Sequence, residues 1–347
     1  MSSPTPNANG TAFARDVLSP LVRGTDLERS EARDALAAIL TGQVADVHVA
    51  SFLTALTSKG ETAAEMTGFV DAMIDAANTF RVDPQAIDIV GTGGDQLHTV
   101  NISTMASFVV AGCGVKVAKH GNRAASSSVG SADVLEGLGV RLDLSVEAVQ
   151  RCVEEAGIGF CYAPTFNPAL AHLGPIRRAL GFRTIFNVLG PLANPALVTR
   201  TLVGVAQARL MAPMADVLQA RGTVYAILVH AEDGLDELSL GSLSRVIVVE
   251  GDDRHEETLD AGAELGLVHD VASLRGGDVT HNVEVVHRFL DGTPGPVFDV
   301  VCANAGLALR AAGVASTLRE GFELSVDSVR SGRARHALDG LVLVSNA

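Results

Sequence analysis

Four places in this sequence combine residue types that could do chemistry together. The first is Gly91-Thr92-Gly93-Gly94-Asp95, directly behind a short apolar run. Glycines let a backbone approach a ligand closely and turn successive N–H groups toward phosphate oxygens. The spacing is not the G-x-G-x-x-G of a dinucleotide fold, and no Gly-Lys-Ser/Thr follows as in a P-loop, so on its own the run also reads as a tight turn. A few residues on, Asn101, Ser103 and Thr104 open a helix. Ser103 alone is most simply an N-cap, but beside a glycine loop the same terminus becomes an anion site.

The second place is Lys119-His120-Gly121-Asn122-Arg123-Ala124-Ala125-Ser126-Ser127-Ser128. Cations, a glycine and three hydroxyls are what a polyphosphate needs, and ligands of open α/β sheets bind where strands end. The third is His230-Ala231-Glu232-Asp233-Gly234-Leu235-Asp236-Glu237-Leu238. Paired carboxylates near a phosphate site suit Mg²⁺, which takes oxygen ligands and keeps several waters; a solvated acidic loop is the plainer alternative. The fourth joins Gly174-Pro175-Ile176-Arg177-Arg178 to Arg183 through Leu192, where an Arg among apolar residues could bind an aromatic carboxylate or simply pack its stem.

Charge is distributed so as to favour these places. The chain has 347 residues and a formal net charge of −14, yet residues 96–131 and 156–215 contain no Asp or Glu. Lys116 and Lys119 are two of only three lysines. Such an acidic chain lacks the basic surface that nucleic acid or a membrane would require, so neither is expected as a partner. An anionic substrate is not excluded, because acid is withheld from most of the proposed binding loops. Four cysteines without C-x-x-C spacing read as core residues of a reducing compartment. With no signal-peptide pattern and no apolar run long enough for a span, the expected location is cytoplasmic.

The elements that must position these residues fall into two kinds. Residues 12–80 show helical periodicity without a strand candidate, with helices over 31–40, 46–58 and 61–78. From Val82-Asp83-Pro84 onward strands and helices alternate. Strands are expected at 86–90, 115–119, 158–162, 201–205, 224–229 and 244–250, and helices at about 102–111, 131–138, 145–156, 299–312 and 320–331. Residues 164–195 turn helical again, with five prolines. The fold class is therefore α/β: a small all-helical domain plus a larger α/β domain with a mostly parallel central sheet flanked by helices. The helical domain spans 12–80, completed by 165–197; the α/β domain takes 81–164 and 198–347. No motif is evident in the last hundred residues.

In order and spacing, GTGGD (91–95), N-x-S-T (101–104), KHGNRAASS (119–127), GSADVLE-x-LGV (130–140), the run R-x-x-LG-x-RT-x-FN-x-LGPL-x-NP (177–195) and GLDEL (234–238) closely resemble the anthranilate phosphoribosyltransferases of tryptophan biosynthesis. The resemblance is dense over 12–240 and looser beyond. It implies transfer of the 5-phosphoribosyl group from phosphoribosyl diphosphate to the amine of anthranilate, with release of pyrophosphate. It implies that Gly91, Gly94, Asp95, Thr99, Asn101, Ile102, Ser103, Thr104, Lys119, His120, Gly121, Asn122, Arg123, Ala124, Ala125, Ser126, Ser127 and Ser131 hold phosphoribosyl diphosphate. Gly91, Asn122 and Arg177 would contact anthranilate, while Ser103, Asp236 and Glu237 would hold two Mg²⁺ ions. A homodimer through the helical domain is also implied, with the sheet domain hinging to close the site, and no residue acts as a general acid or base.

One departure stands out. Many family members read Tyr-His-Pro-Ala-Met-Lys where this chain has Phe166-Asn167-Pro168-Ala169-Leu170-Ala171, close to the anthranilate entry. Two other functions fit the general architecture. A pyrimidine nucleoside phosphorylase would carry different phosphate motifs and would phosphorolyse thymidine without Mg²⁺. A non-enzymatic nucleic-acid-binding paralogue would need a continuous basic surface and would give a salt-sensitive DNA shift.

Overall fold

The computed structural model describes residues 8–123 and 129–347. The described chain divides into two compact units. One comprises the chain up to Asn78 together with Asn167–Ala193; the other comprises Thr79–Phe166 and Asn194–Ala347.

The smaller unit is helical. Its principal helices are α1 (Arg29–Leu40), α2 (Asp46–Lys59) and α3 (Ala63–Asp75), with a further helix over Leu173–Leu180. Helix α3 begins three residues after Gly60 because Thr62 and Glu65 form a reciprocal cap: the Glu65 amide donates to Thr62 Oγ1 (3.2 Å) and the Thr62 amide to Glu65 Oε2 (2.9 Å). The buried Glu65 carboxylate also takes Lys59 Nζ at 2.9 Å, so the single lysine of this unit is absorbed structurally. Leu36, Ile39, Phe52, Leu53, Leu56, Met66 and Phe69, spaced at helical periods along their segments, form the buried faces.

The larger unit is built on one seven-stranded sheet: β1 (Ile87–Gly91), β2 (Val117–Gly121), β3 (Ile158–Tyr162), β4 (Arg200–Gly204), β5 (Tyr225–Ala231), β6 (Ser244–Glu250) and β7 (Asp253–Leu259). The spatial order is β3-β2-β1-β4-β5-β6-β7. The first five strands are parallel and the last two add an antiparallel hairpin. Strands β1 to β5 are mostly buried, as in a parallel sheet covered on its faces. Helices α4 (Ile102–Gly112), α5 (Ser131–Gly137), α6 (Val279–Leu290) and α7 (Pro296–Ala311) follow in this unit; α4 and α7 pack on the strands, and α5 packs on α6. Among the described residues no helix is long and apolar enough to cross a membrane.

A mostly parallel sheet in a larger α/β part, together with a helical part, is the architecture expected from the strand–helix alternation. Strand β7 is not among the expected strands. Its sequence, Asp-Arg-His-Glu-Glu-Thr-Leu, is largely exposed and has no apolar alternation to read; it pairs as a charged edge, a common guard against edge-to-edge association. Helices α6 and Arg333–Ser345, in the C-terminal hundred residues, are likewise additions to the expected set.

The topology fixes where a ligand can sit. Chain connections from β1 run to β2 on one side, while β4 flanks β1 on the other. Ligands of such sheets lie beyond the carboxyl ends of the strands at this reversal. The glycine loop leaves β1 there, Lys119-His120-Gly121 ends β2, and the acidic loop leaves β5.

Candidate active site

The acidic loop is drawn inward by its leucines. Leu235 and Leu238 are fully buried, which carries Asp236 and Glu237 between them to the sheet edge. Asn304 on α7 then clamps the end of the loop, accepting from the Leu238 amide (2.8 Å) and donating to the Leu238 carbonyl (2.9 Å). Not all acids of the loop share this role. Asp233 closes the turn, taking Ser239 Oγ at 2.6 Å, and Glu232 is exposed.

Glycine at 91 and at 204 is required by this approach. A Cβ on Gly91 would stand 2.8 Å from Asp236 Oδ2, and one on Gly204 would overlap the Asp236 carbonyl. Asp236 Oδ2 in turn accepts from the Gly93 amide at 2.8 Å, tying the acidic loop to the glycine loop. Asp95 lies near enough to act on Asp236 directly. Glu237 accepts from the Ser103 backbone at the start of α4.

Lys119 enters the same space from β2. It is 3% exposed, and its Nζ donates to the Ile89 carbonyl (2.5 Å) and to Ser103 Oγ (3.3 Å). Burial lowers its pKa, against the raising influence of Asp88 and Glu237. Burial raises both carboxyls: Asp236 is pushed up to about 7, with Asp95 adding to the shift, and Glu237 well above its usual range, with Asp236 adding. Lys119 thus answers Asp88 and Glu237, while Asp236 faces Asp95, so negative charge in the site is under-compensated. A hard cation fits this donor set of carboxylate and hydroxyl oxygens. Among the described residues no three His, Cys, Asp or Glu side chains are arranged to enclose an ion. Two carboxylates leave most of an octahedral shell to other oxygens, such as phosphate and water.

Several expected residues have other settings. Ser103 is not the N-cap: Asn101 takes that position, and Ser103 lies in the first turn, where its hydroxyl faces Lys119 because its backbone is already helical. Ile102 is buried in the core and its amide donates to the Val100 carbonyl (2.8 Å), so neither is directed at a ligand. Thr104 is 1% exposed with no hydrogen-bond partner for its hydroxyl among the described residues. Ser131 Oγ donates to the Asn122 carbonyl (3.3 Å), and the Asn122 side chain accepts from the Arg123 amide (2.7 Å). The Arg123 guanidinium pairs with Asp133 (3.0 Å) and Glu136 (2.8 Å) and lies over the Tyr162 ring. Lys116 donates to the Glu154 carbonyl at the other end of β2. Ala124, Ala125, Ser126 and Ser127 lie outside the described residues.

A buried polar group beneath the site is absent from the residues that sequence reasoning singles out. Asp88, the second residue of β1, is 1% exposed. Its carboxylate accepts from the His120 amide (3.1 Å) and from Asn194 Nδ2 (2.7 Å), and Asn194 also donates to the Ala118 carbonyl (2.8 Å). The loop after β2 is thereby held from below. An Asp inside an apolar strand is the available signal, since such a charge must find partners.

Arg177 and Asn167 belong to the smaller unit. Burial lowers the Arg177 pKa, and its guanidinium sits over the Phe186 ring, 5.5 Å from the centroid. Asn167 is 3% exposed, and its Nδ2 has no partner among the described residues.

The chain is similar to known proteins over most of its length. Residues 15–77 match the glycosyl transferase family, helical bundle domain, and residues 83–335 match the glycosyl transferase family, a/b domain. The anthranilate phosphoribosyltransferase of Thermomicrobium roseum is 49% identical over 339 residues, covering 95% of this chain and 97% of the relative. The chain belongs to the anthranilate phosphoribosyltransferase family. Among solved members, that of Thermus thermophilus superposes with a TM-score of 0.90 at 40% identity, covering 96% of this chain and all of its own. The Saccharomyces cerevisiae anthranilate phosphoribosyltransferase, solved in complex with PRPP and Mg, gives 0.89 at 25% identity, covering 98% of this chain and 99% of that one.

Proposed function

We propose that this chain transfers the 5-phosphoribosyl group of phosphoribosyl diphosphate to the amine of anthranilate, releasing pyrophosphate, as the second step from chorismate to tryptophan. The observation that carries the reading is the meeting of Lys119, the Gly91–Asp95 loop, Ser103 and the buried Asp236–Glu237 pair at one sheet edge. We assign phosphoribosyl diphosphate binding to the α/β part, 81–164 with 198–347, and dimer formation to 12–80 completed by 165–197.

In this reading Ser103, Asp236 and Glu237 hold two Mg²⁺ ions, which when bound supply positive charge to the departing diphosphate. Gly91, Gly94, Asp95, Thr99, Asn101, Thr104 and the Lys119–Ser127 loop with Ser131 orient the phosphoribosyl group. Lys119 adds a fixed, desolvated cation beside the leaving oxygens, where a charge acts more strongly than in water. As the C1′–O bond lengthens, the ribose gains oxocarbenium character; the aromatic nitrogen then forms the new C1′–N bond and releases its proton. An arylamine is already neutral near pH 7, so no strong base is needed, and catalysis is chiefly positioning and electrostatics. Gly91, Asn122 and Arg177 contact anthranilate, with the guanidinium of Arg177 meeting its carboxylate. Asn167 stands near the anthranilate entry, where many family members have His.

The helical part presents a shallow groove of about 780 Å³, lined by Leu21, Val47, Ser51 and Thr54, with Val22 and Val47 73% and 67% exposed. We assign this face to a homodimer, which sedimentation of the purified chain checks. The location is cytoplasmic, in keeping with four cysteines that form no disulfide.

Anthranilate fluorescence tests the reaction. Signal should fall only when phosphoribosyl diphosphate and Mg²⁺ are both present; a chain that consumes no anthranilate under those conditions overturns the reading.

A further inference from the structure

We infer that Asn282, in the motif-free C-terminal part of the chain, is a positioning residue for the phosphoribosyl diphosphate site. The inference rests on the reading above and adds a residue that neither its sequence motifs nor its proposed ligand set contains.

Asn282 lies in the first turn of α6 and is 2% exposed. The orientation of its amide is dictated by a backbone donor: the Gly277 N–H donates to Asn282 Oδ1 at 2.9 Å. Nδ2 must then point the other way, and it donates to Asn101 Oδ1 at 3.0 Å. That in turn directs Asn101 Nδ2 to the Val129 carbonyl, at 3.2 Å. A fixed N–H of the C-terminal part thus sets, through two side-chain amides, the link between the start of α4 and the segment that follows the Lys119 loop. Each amide can satisfy its neighbour in only one orientation, so the relay has a single direction.

The same C-terminal segment grips the stretch after the glycine loop, residues 98–100, by its backbone. Thr99 forms an antiparallel bridge with Arg275. The Val100 amide donates to the Leu274 carbonyl (2.9 Å) and the Gly276 amide to the His98 carbonyl (2.8 Å). Gln96 and His98 hold left-handed backbone conformations, with φ of 64° and 53°. Non-glycine residues stay in that region only where surrounding contacts over-determine them. A Cβ on Gly276 would come within 3.0 Å of both the Thr99 carbonyl and Asn282 Oδ1, so the two segments meet without room for a side chain. Asn282 is the side-chain keystone of this contact, and the segment it braces carries Thr99, Asn101 and Thr104, which are assigned to the phosphoribosyl group.

Asn282→Asp separates positioning from folding. It keeps the shape and the acceptor for Gly277, but it replaces the donor with an oxygen. Asn101 must then turn its amide around and withdraw Nδ2 from Val129. The purified full-length variant is assayed by anthranilate fluorescence at saturating anthranilate and Mg²⁺, with thermal unfolding followed in parallel. The KM for phosphoribosyl diphosphate should rise about tenfold, the loss expected for one buried hydrogen bond, while kcat and the KM for anthranilate stay within about threefold. Asn101→Ala should raise the same KM, and the double variant should be no worse than the poorer single, because both break one relay. An unchanged KM in Asn282→Asp, fully additive effects, or a drop in unfolding temperature with KM constant would each overturn the inference. If the wild-type chain itself shows no turnover, it is the reaction that fails; normal wild-type turnover with an unaltered variant KM fails Asn282 alone.

Discussion

Two acidic runs of this molecule look alike as text and differ completely in structure. Residues 232–237 carry Glu232, Asp233, Asp236 and Glu237; residues 252–257 carry Asp252, Asp253, Glu256 and Glu257. On β7 the second run meets water and arginines. Arg310 pairs with Glu257 (2.6 Å), Arg254 reaches Glu256 (3.5 Å) and Asp216 (2.6 Å), and the strand closes the sheet. In the first run Asp236 and Glu237 are only 9% exposed; Glu237 shares Lys119 with Asp88, and Asp236 faces Asp95. What marks a site is burial with too little counter-charge, not the number of acids. Such under-compensation is unfavourable by itself, and a bound cation would relieve it.

Substitutions at the two runs should therefore separate widely. Replacing both Asp236 and Glu237 by Ala should lower Mg²⁺-dependent turnover by at least about 10³-fold, measured by loss of anthranilate fluorescence. Residual turnover near the wild-type rate would break the contrast at its root. Lys119→Met keeps the buried volume and removes the ammonium. It should lower kcat/KM for phosphoribosyl diphosphate by about 10²-fold in steady-state assays, in line with removing one partner from a buried set of charges.

A subtler change approaches the same carboxylate from the glycine side. Gly91→Ala places a methyl group 2.8 Å from Asp236 Oδ2. Displacing that oxygen should raise the KM for phosphoribosyl diphosphate about tenfold while the chain stays folded, as circular dichroism and kinetics together report. At the far end of the scale, Glu256→Gln with Glu257→Gln on β7 should leave kcat/KM unchanged and shift stability by no more than about 1 kcal/mol in urea unfolding. A large activity loss there would show that charge on the sheet edge, not burial, controls the site.

The contrast also explains what the amino-acid sequence makes legible. Lys119, the Gly91–Asp95 loop and Asp236–Glu237 are readable because residue type and a position after a strand suffice to suggest their chemistry. The alternation of apolar strands and helices makes the α/β part readable for the same local reason. Asp88 is different: its meaning depends on Asn194, 106 residues away. Asn304 acts on Leu238 across 66 residues, and no local pattern announces either pairing. Arg123 reads as a phosphate ligand, yet its neighbours on the next helix, Asp133 and Glu136, engage its guanidinium in the structure. Strand β7 is hidden because an exposed edge needs no apolar residues. Long-range pairing and edge exposure are products of topology, and they enter only once the strands are ordered.

The central claim is that the buried pair of the first run, and not acidity in general, anchors the metal-bound diphosphate. Titration calorimetry of phosphoribosyl diphosphate into the wild-type chain and into the Asp236→Ala/Glu237→Ala variant, each with and without Mg²⁺, tests it directly. Mg²⁺-dependent binding to the wild type should be lost in the variant. Equal, Mg²⁺-dependent affinity in the two proteins would contradict it.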